Sequence, residues 1–326
     1  MKYRKLGKHG VKISEISMGT MFYGSYVSKE TGINCLNEAV NQGINHIDTA
    51  DLYGLVDEID MKEKKRIRAE SIVGDFLKDH DRTDLVISTK VWFKMRDSVN
   101  SGGLSRKHIR EGIRDSLSQL KTDYLDIYYC HRPDPDTPLE ETITTMSNLI
   151  DEGLINYWGT SRWSNALIER TIGIAKELGC YPPHVEQSRY NFSEREIEKE
   201  LIDLASYNGI GLITYGTLAG GIYTGKYLDN IPSDSRLAKT PRYYPKDQID
   251  FHHSKLPQLI DIANSLELPI TQLAFAWILR HSEVTSVLTS ATRIEHITSN
   301  VEACEVTISK NIIKKIDDIM NGSTIR

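Results

Sequence analysis

Four residues of four chemical types stand at or just beyond the ends of apolar, β-rich runs: Asp48, Tyr53, Lys90 and His131. A tyrosine hydroxyl has an ordinary pKa of about 10, so at neutral pH it is a weak but usable acid. A lysine ammonium beside it would stabilise the phenolate and lower that value by roughly 1–3 units. Asp48 would hold the lysine charged and oriented. His131 could hydrogen-bond a carbonyl oxygen and fix its position. Together the four can deliver a proton to a carbonyl that is receiving a hydride. One charged residue at a strand end is easily a salt-bridge partner and nothing more; four types gathered at one mouth are harder to explain that way. This chemistry requires no metal. No GxSxG elbow is present, and the pair His252–His253 lacks an HExxH-like context for zinc.

The elements that must position these residues recur in alternation. Eight runs read as strands: 14–19, 44–50, 84–91, 124–131, 155–161, 184–190, 211–216 and 284–291. Several are apolar without a polar alternate, as parallel strands covered on both faces should be. Amphipathic stretches over 105–120, 138–152, 164–178, 194–208 and 293–303 read as helices. In the first of these, Ile109, Ile113, Leu117 and Leu120 form one stripe behind a capping Ser105. Pro138 suits a first helical position, Ser164 a start and Gly179 a stop. Eight strands alternating with helices predict a (β/α)8 TIM barrel, whose sites lie at the C-terminal strand ends. A doubly wound sheet is the alternative, but GxGxxG after the first strand is absent. The start, YRKLGKHGVKIS, predicts a β-hairpin that plugs one barrel end. Residues 55–68 carry nine charged residues in fourteen and read as a solvated insertion, able to cover the substrate or extend a homo-oligomer contact. Residues 217–253 read as a long, functional loop after the seventh strand. No interdomain linker interrupts residues 1–326, which predicts a single domain.

Composition narrows the partners. The chain has 326 residues, 39% of them hydrophobic and 26% charged, which excludes a disordered chain. Forty Lys and Arg against 45 Asp and Glu give a net charge of −5, so no basic excess points to nucleic acid. No apolar run approaches the ~18 residues of a membrane span, so no membrane partner is expected. The start MKYRKLGKHG lacks an apolar h-region, and Cys35, Cys130, Cys180 and Cys304 form no CxxC pair. Free thiols and a cytoplasmic location follow as expectations.

The chemical residues lie in HIDTADLYG (46–54), STKVW (88–92) and DIYYCHRPDP (126–135), and here the sequence resembles the aldo-keto reductases. GLSRKHI (103–109), RPDPDTPLEET (132–142) and YWGTSRWS (157–164) narrow the resemblance to the branch of the potassium-channel β subunits and related microbial reductases. The resemblance runs from Tyr3 to about Met320. It implies a catalytic tetrad of Asp48, Tyr53, Lys90 and His131 with Tyr53 as general acid, the same barrel, and NADP(H) as cofactor. By the same resemblance Ser161, Arg162 and Gln187 hold the nicotinamide carboxamide, and Tyr215 lies against the ring face. The stretch 216–227, beginning Gly216, Thr217, Leu218, resembles the loop that covers the pyrophosphate, with Lys226 and Arg236 on phosphates. It nearly spells a P-loop, but Tyr227 replaces the Ser or Thr that would bind magnesium and no clear helix opens on it. Thr292 and Asn300 match the last cofactor motif. Ser299 replaces its acidic residue, and Arg293 starts a helix where it could meet a 2′-phosphate, which favours NADP over NAD.

The expected function is reduction of an aldehyde or ketone, small or sugar-derived, to an alcohol. Tyr23, Trp92 and Trp163, with Met21 and Phe22, are the candidate substrate wall. A channel-subunit-like regulatory or redox-sensing protein is the alternative; the resemblance implies that such proteins often lack the active-site histidine, whereas His131 is present. A Schiff-base aldolase using Lys90 is a third reading, which borohydride trapping would separate.

Overall fold

The computed structural model describes residues 1–54, 67–233, 235–239 and 246–320, with the side chains of Arg236 and Lys239 outside that description. Two short strands, β1 (Tyr3–Lys5) and β2 (Lys12–Ser14), pair antiparallel ahead of the repeat. Eight parallel strands follow: β3 (Ile16–Gly19), β4 (His46–Asp48), β5 (Val86–Val91), β6 (Leu125–Cys130), β7 (Ile155–Ser161), β8 (Val185–Arg189), β9 (Gly211–Tyr215) and β10 (Val284–Thr289). They close in chain order, with β10 hydrogen-bonded to both β9 and β3. The fold is therefore a (β/α)8 TIM barrel. Every residue of β5 and β6 is buried, because barrel interior and helices cover the two faces.

The helices are α1 (Lys29–Asn41), α2 (Ala69–Leu77), α3 (Arg106–Leu120), α4 (Leu139–Asp151), α5 (Asn165–Leu178), α6 (Leu201–Asn208), α7 (Arg236–Lys239), α8 (Lys246–Ser265), α9 (Ile270–Leu279), α10 (Ile294–Glu302) and α11 (Lys310–Met320). Serine hydroxyls of Ser105 and Ser164 accept from the amides of His108 and Leu167, so α3 and α5 start where a capping side chain satisfies free N–H groups. On α3, Ile109, Ile113 and Leu120 are buried and Leu117 is half-buried. The hairpin closes the N-terminal end: Leu6 and Ile13 are buried among Val86, Ile127, Val185 and Ile213 of the barrel. Among the described residues no single helix is long and apolar enough to cross a membrane. All four cysteines are unbridged.

The structure differs from the sequence expectations in four places. Each barrel strand except β7 is shorter than its apolar run, because the end residues leave the ladder to enter the loops. Pro138 is the residue before α4, not its first turn. The stretch 194–208 breaks into a 3-10 turn, Glu196–Glu198, and α6. The expected loop 217–253 holds a 3-10 turn at Ala219–Thr224, the four-residue α7 and the first residues of α8. Of the charged insertion 55–68, only Ile67 and Arg68 lie within the described residues.

Candidate active site

Side chains alternate along a strand, so residues two apart share a face. His46 and Asp48 on β4 therefore point the same way, as do Ser88 and Lys90 on β5. The inward face is fixed by a contact across the barrel: Gln187 Nε2 on β8 donates to Asp48 Oδ1 at 3.0 Å. Lys90 Nζ donates to Asp48 Oδ2 at 2.5 Å, to the Thr49 carbonyl at 2.7 Å and to the Tyr53 hydroxyl at 3.4 Å. Ser88 Oγ donates to Asp48 Oδ1 at 2.8 Å. Tyr53 sits in the turn after β4, its amide bonded to the Ala50 carbonyl and its carbonyl accepting from Ala69. Gly54 must follow it, because at φ +84° a Cβ there would lie 2.4 Å from the Ile67 carbonyl oxygen. His131 follows β6, with its ring edge-on to Tyr53 at 5.9 Å and to Phe93 at 5.1 Å between centroids. The four residues named from sequence thus converge on one point.

The electrostatics of that point are set by burial. The Lys90 side chain is fully buried, and desolvation holds its ammonium below the ordinary lysine value while the Asp48 charge opposes that fall. The Tyr53 phenol is pushed well above 10, first by desolvation and then by the Asp48 charge. The lowering expected from a nearby lysine is thus outweighed, and Tyr53 is held as the protonated phenol. His131 is pushed far below its ordinary value by burial and then by the Lys90 and Arg132 charges, so its ring is neutral. Its Nδ1 is buried without a hydrogen-bond partner among the described residues. The arrangement can donate one proton from oxygen and one hydrogen bond from an imidazole to a group placed between them.

Of the residues expected to hold a cofactor, Ser161, Gln187 and Tyr215 lie in β7, β8 and β9, and the others lie beyond strand ends. Ser161 is buried and donates to the Gln187 carbonyl at 2.9 Å; the Arg162 side chain is exposed. Tyr215 and Leu218 are half-buried, and Gly216 takes φ +78°. Thr217 is buried, and its hydroxyl has no hydrogen-bond partner among the described residues. Lys226 and Arg293 are both exposed, and both charges depress the pKa of His296 after its burial, so the two cations gather at one place. Arg293 precedes α10 at its N-terminus, with Thr292 exposed beside it. Asn300 is buried and donates to Thr289 Oγ1 at 2.7 Å. The Arg236 side chain lies outside the described residues.

Of the expected substrate wall, Trp92 is half-buried at the mouth, its indole donating to the Pro133 carbonyl at 3.1 Å. Trp163 is 4% exposed, and its indole nitrogen has no hydrogen-bond partner among the described residues. Tyr23 is a correction: it is fully buried, its ring packed on Gly32 of α1 and its hydroxyl 3.5 Å from the Ala291 carbonyl, so it belongs to the core rather than the wall. Phe93, against both His131 and Trp92, is the aromatic that the sequence reading passed over. His46 and Ser88 were also missed. His46 bridges Ser17 Oγ at 2.8 Å and Ser88 Oγ at 2.9 Å, and burial lowers it to about 4, so a neutral ring braces the layer beneath Asp48. Their signal was spacing: each stands two residues before a tetrad member. His252 belongs to no metal cluster; its Nδ1 lies 2.7 Å from the Tyr223 hydroxyl and 3.3 Å from Ser193 Oγ. No three His, Cys, Asp or Glu side chains among the described residues gather to hold a metal ion.

A buried acid–cation pair, a phenol and a neutral imidazole at the C-terminal mouth of a (β/α)8 barrel define a class, the barrel oxidoreductases. The model of the Aldo/keto reductase family matches residues 15–321, and the chain belongs to that family. Two similar relatives are each named "Probable voltage-gated potassium channel subunit beta", one from Oryza sativa subsp. japonica and one from Arabidopsis thaliana. Each is 37% identical over 335 residues, covering 100% of this chain and 98% of the relative.

Proposed function

We propose that this protein is an NADP(H)-dependent carbonyl reductase that converts aldehydes or ketones, small or sugar-derived, to alcohols. The observation that carries the reading is the Tyr53 hydroxyl 3.4 Å from a Lys90 ammonium that is itself fastened to Asp48. The residues present fit a pyridine nucleotide. The Thr217 hydroxyl has no hydrogen-bond partner among the described residues, and the exposed cations Lys226 and Arg293 suit phosphates. Ser161, Arg162 and Gln187 would hold its carboxamide, Tyr215 its ring face, and Gly216, Thr217 and Leu218 its pyrophosphate. When bound, a reduced nicotinamide supplies the hydride.

The chain's own residues do the rest. Tyr53 holds the proton that the developing alkoxide needs. Lys90 makes its departure easier by placing a positive charge beside the oxygen that becomes negative. Asp48 keeps Lys90 oriented, and Ser88 and Gln187 keep Asp48 oriented. His131, neutral, donates a hydrogen bond to the carbonyl oxygen without competing for the proton. Trp92, Trp163 and Phe93 exclude water and provide an apolar wall. A channel-subunit-like regulatory or redox-sensing role is the second reading; the names of the two plant relatives support its channel-subunit part alone, and weakly. The two readings part at turnover. Quenching of NADPH fluorescence by the protein, followed by consumption of NADPH with an aldehyde panel, supports the reductase. Binding without turnover supports the sensor.

A further inference from the structure

Glu186 on β8 is a carboxylic acid in an unusual place. Its neighbour Gln187 points into the barrel, so Glu186 points outward, into the seam between barrel wall and helices, and it is fully buried there. Its Oε2 accepts from Thr160 Oγ1 at 2.5 Å. Its Oε1 accepts from the Arg162 amide at 2.7 Å and from Ser188 Oγ at 2.9 Å. The Trp163 amide also donates to it. Arg162 takes φ +60°, a left-handed conformation that a residue with a Cβ adopts at some cost and keeps only when its surroundings hold it. Glu186 therefore grips two successive amides of the turn that carries Ser161 and Arg162.

We propose that Glu186 is a positioning residue, whose carboxylate clamps the left-handed Arg162 turn so that Ser161 and Arg162 are set for the nicotinamide end of the cofactor. The inference rests on the nucleotide-binding reading above. Glu186 faces away from the barrel interior, so it acts only through the turn. The groups that face it are the Thr160 hydroxyl on β7, the Ser188 hydroxyl on β8 and the two amides; its charge also reaches the Tyr129 phenol on β6. None of these changes charge between pH 6 and 8. Burial pushes Glu186 itself up to about 7 against the pull of those donors. Once protonated, the carboxyl carries a donor of its own and can no longer accept from all four.

The test compares wild type with Glu186→Gln. The amide keeps the shape, but its NH2 faces donors. Two readouts are taken: amide-proton exchange at Arg162 and Trp163 in nucleotide-free protein, and the NADPH dissociation constant by fluorescence quenching from pH 6 to pH 8.5. At pH 8 the variant should exchange those amides faster and bind NADPH about tenfold more weakly, the size of one lost charge-assisted hydrogen bond. In wild type, affinity should fall, and the protection of those amides relative to their intrinsic exchange rate at each pH should fall, as pH drops through about 7, a break absent from the variant. The 2′-phosphate, with a pKa of about 6, titrates in the same way with both proteins. If Glu186→Gln does not fold, Thr160→Val removes one donor and leaves the acid; the break should then move to higher pH. Wild-type binding with unchanged affinity, exchange and pH profile in the variant overturns the clamp and leaves the nucleotide reading intact. Absence of NADPH binding by wild type overturns the nucleotide reading, and the clamp with it.

Discussion

Replacing Lys90 by Met removes the charge at the centre of the site while keeping an unbranched stem of similar length. In wild type the ammonium lies 3.4 Å from the Tyr53 oxygen. At an effective dielectric of about 20, a full negative charge there would be stabilised by about 5 kcal/mol. Only part of that charge has developed at the transition state, so the expected loss in turnover is roughly 10²–10⁴-fold. The same change strands Asp48, which loses its 2.5 Å partner and keeps its bonds from Ser88 and Gln187. Breaking a buried pair costs about 3–5 kcal/mol. With about 2.1 cal/mol/K of unfolding entropy per residue and 326 residues, that corresponds to a fall in Tm of roughly 4–7 °C. The assay is the pH profile of alcohol oxidation beside a thermal melt. Burial already holds Tyr53 above the ordinary tyrosine value, and loss of the cation should move its ionisation, and the alkaline limb, higher still. A folded Lys90→Met protein that kept both its turnover and its profile would refute the role of Lys90 and the grouping of the four residues as one site.

Tyr53→Phe should lower aldehyde reduction by about 10²–10⁴-fold while NADPH still quenches, because the hydroxyl supplies a proton and little binding. Arg293→Ala should weaken NADPH much more than NADH; equal losses in paired dissociation constants would assign Arg293 to general surface charge. Glu186 is raised in the folded chain from 4.5 to about 7, so its contribution to stability is full below pH 4.5 and is lost as pH rises towards 7. That loss amounts to about 3 kcal/mol. Melts of Glu186→Gln across this window should therefore decline less with pH than those of wild type.

The barrel and the convergence of Asp48, Tyr53, Lys90 and His131 were legible because each feature is local. A strand end and a fixed spacing place a side chain at the mouth before any packing is known. Tyr23 was not legible: Met21, Phe22 and Tyr23 read alike after a strand, and only the bare face of Gly32 on α1 decides which ring is swallowed. Helix α9 carries no legible amphipathic period because nine of its ten residues are buried, all but Thr271. The direction of the Tyr53 shift turns on burial outweighing a neighbouring charge, and Glu186 is one acid in a strand until its four donors are seen.

The central claim is that hydride from a nicotinamide and a proton from Tyr53 meet at a carbonyl held in this mouth. The direct measurement is isotopic. Wild type is incubated with an aldehyde and NADPH deuterated on the transferable ring position, and the alcohol is analysed by mass spectrometry. The account predicts one deuterium on the carbinol carbon, with formation of the alcohol strongly suppressed in Tyr53→Phe. Alcohol without deuterium, or no alcohol from any carbonyl in the panel despite tight NADPH binding, would contradict it.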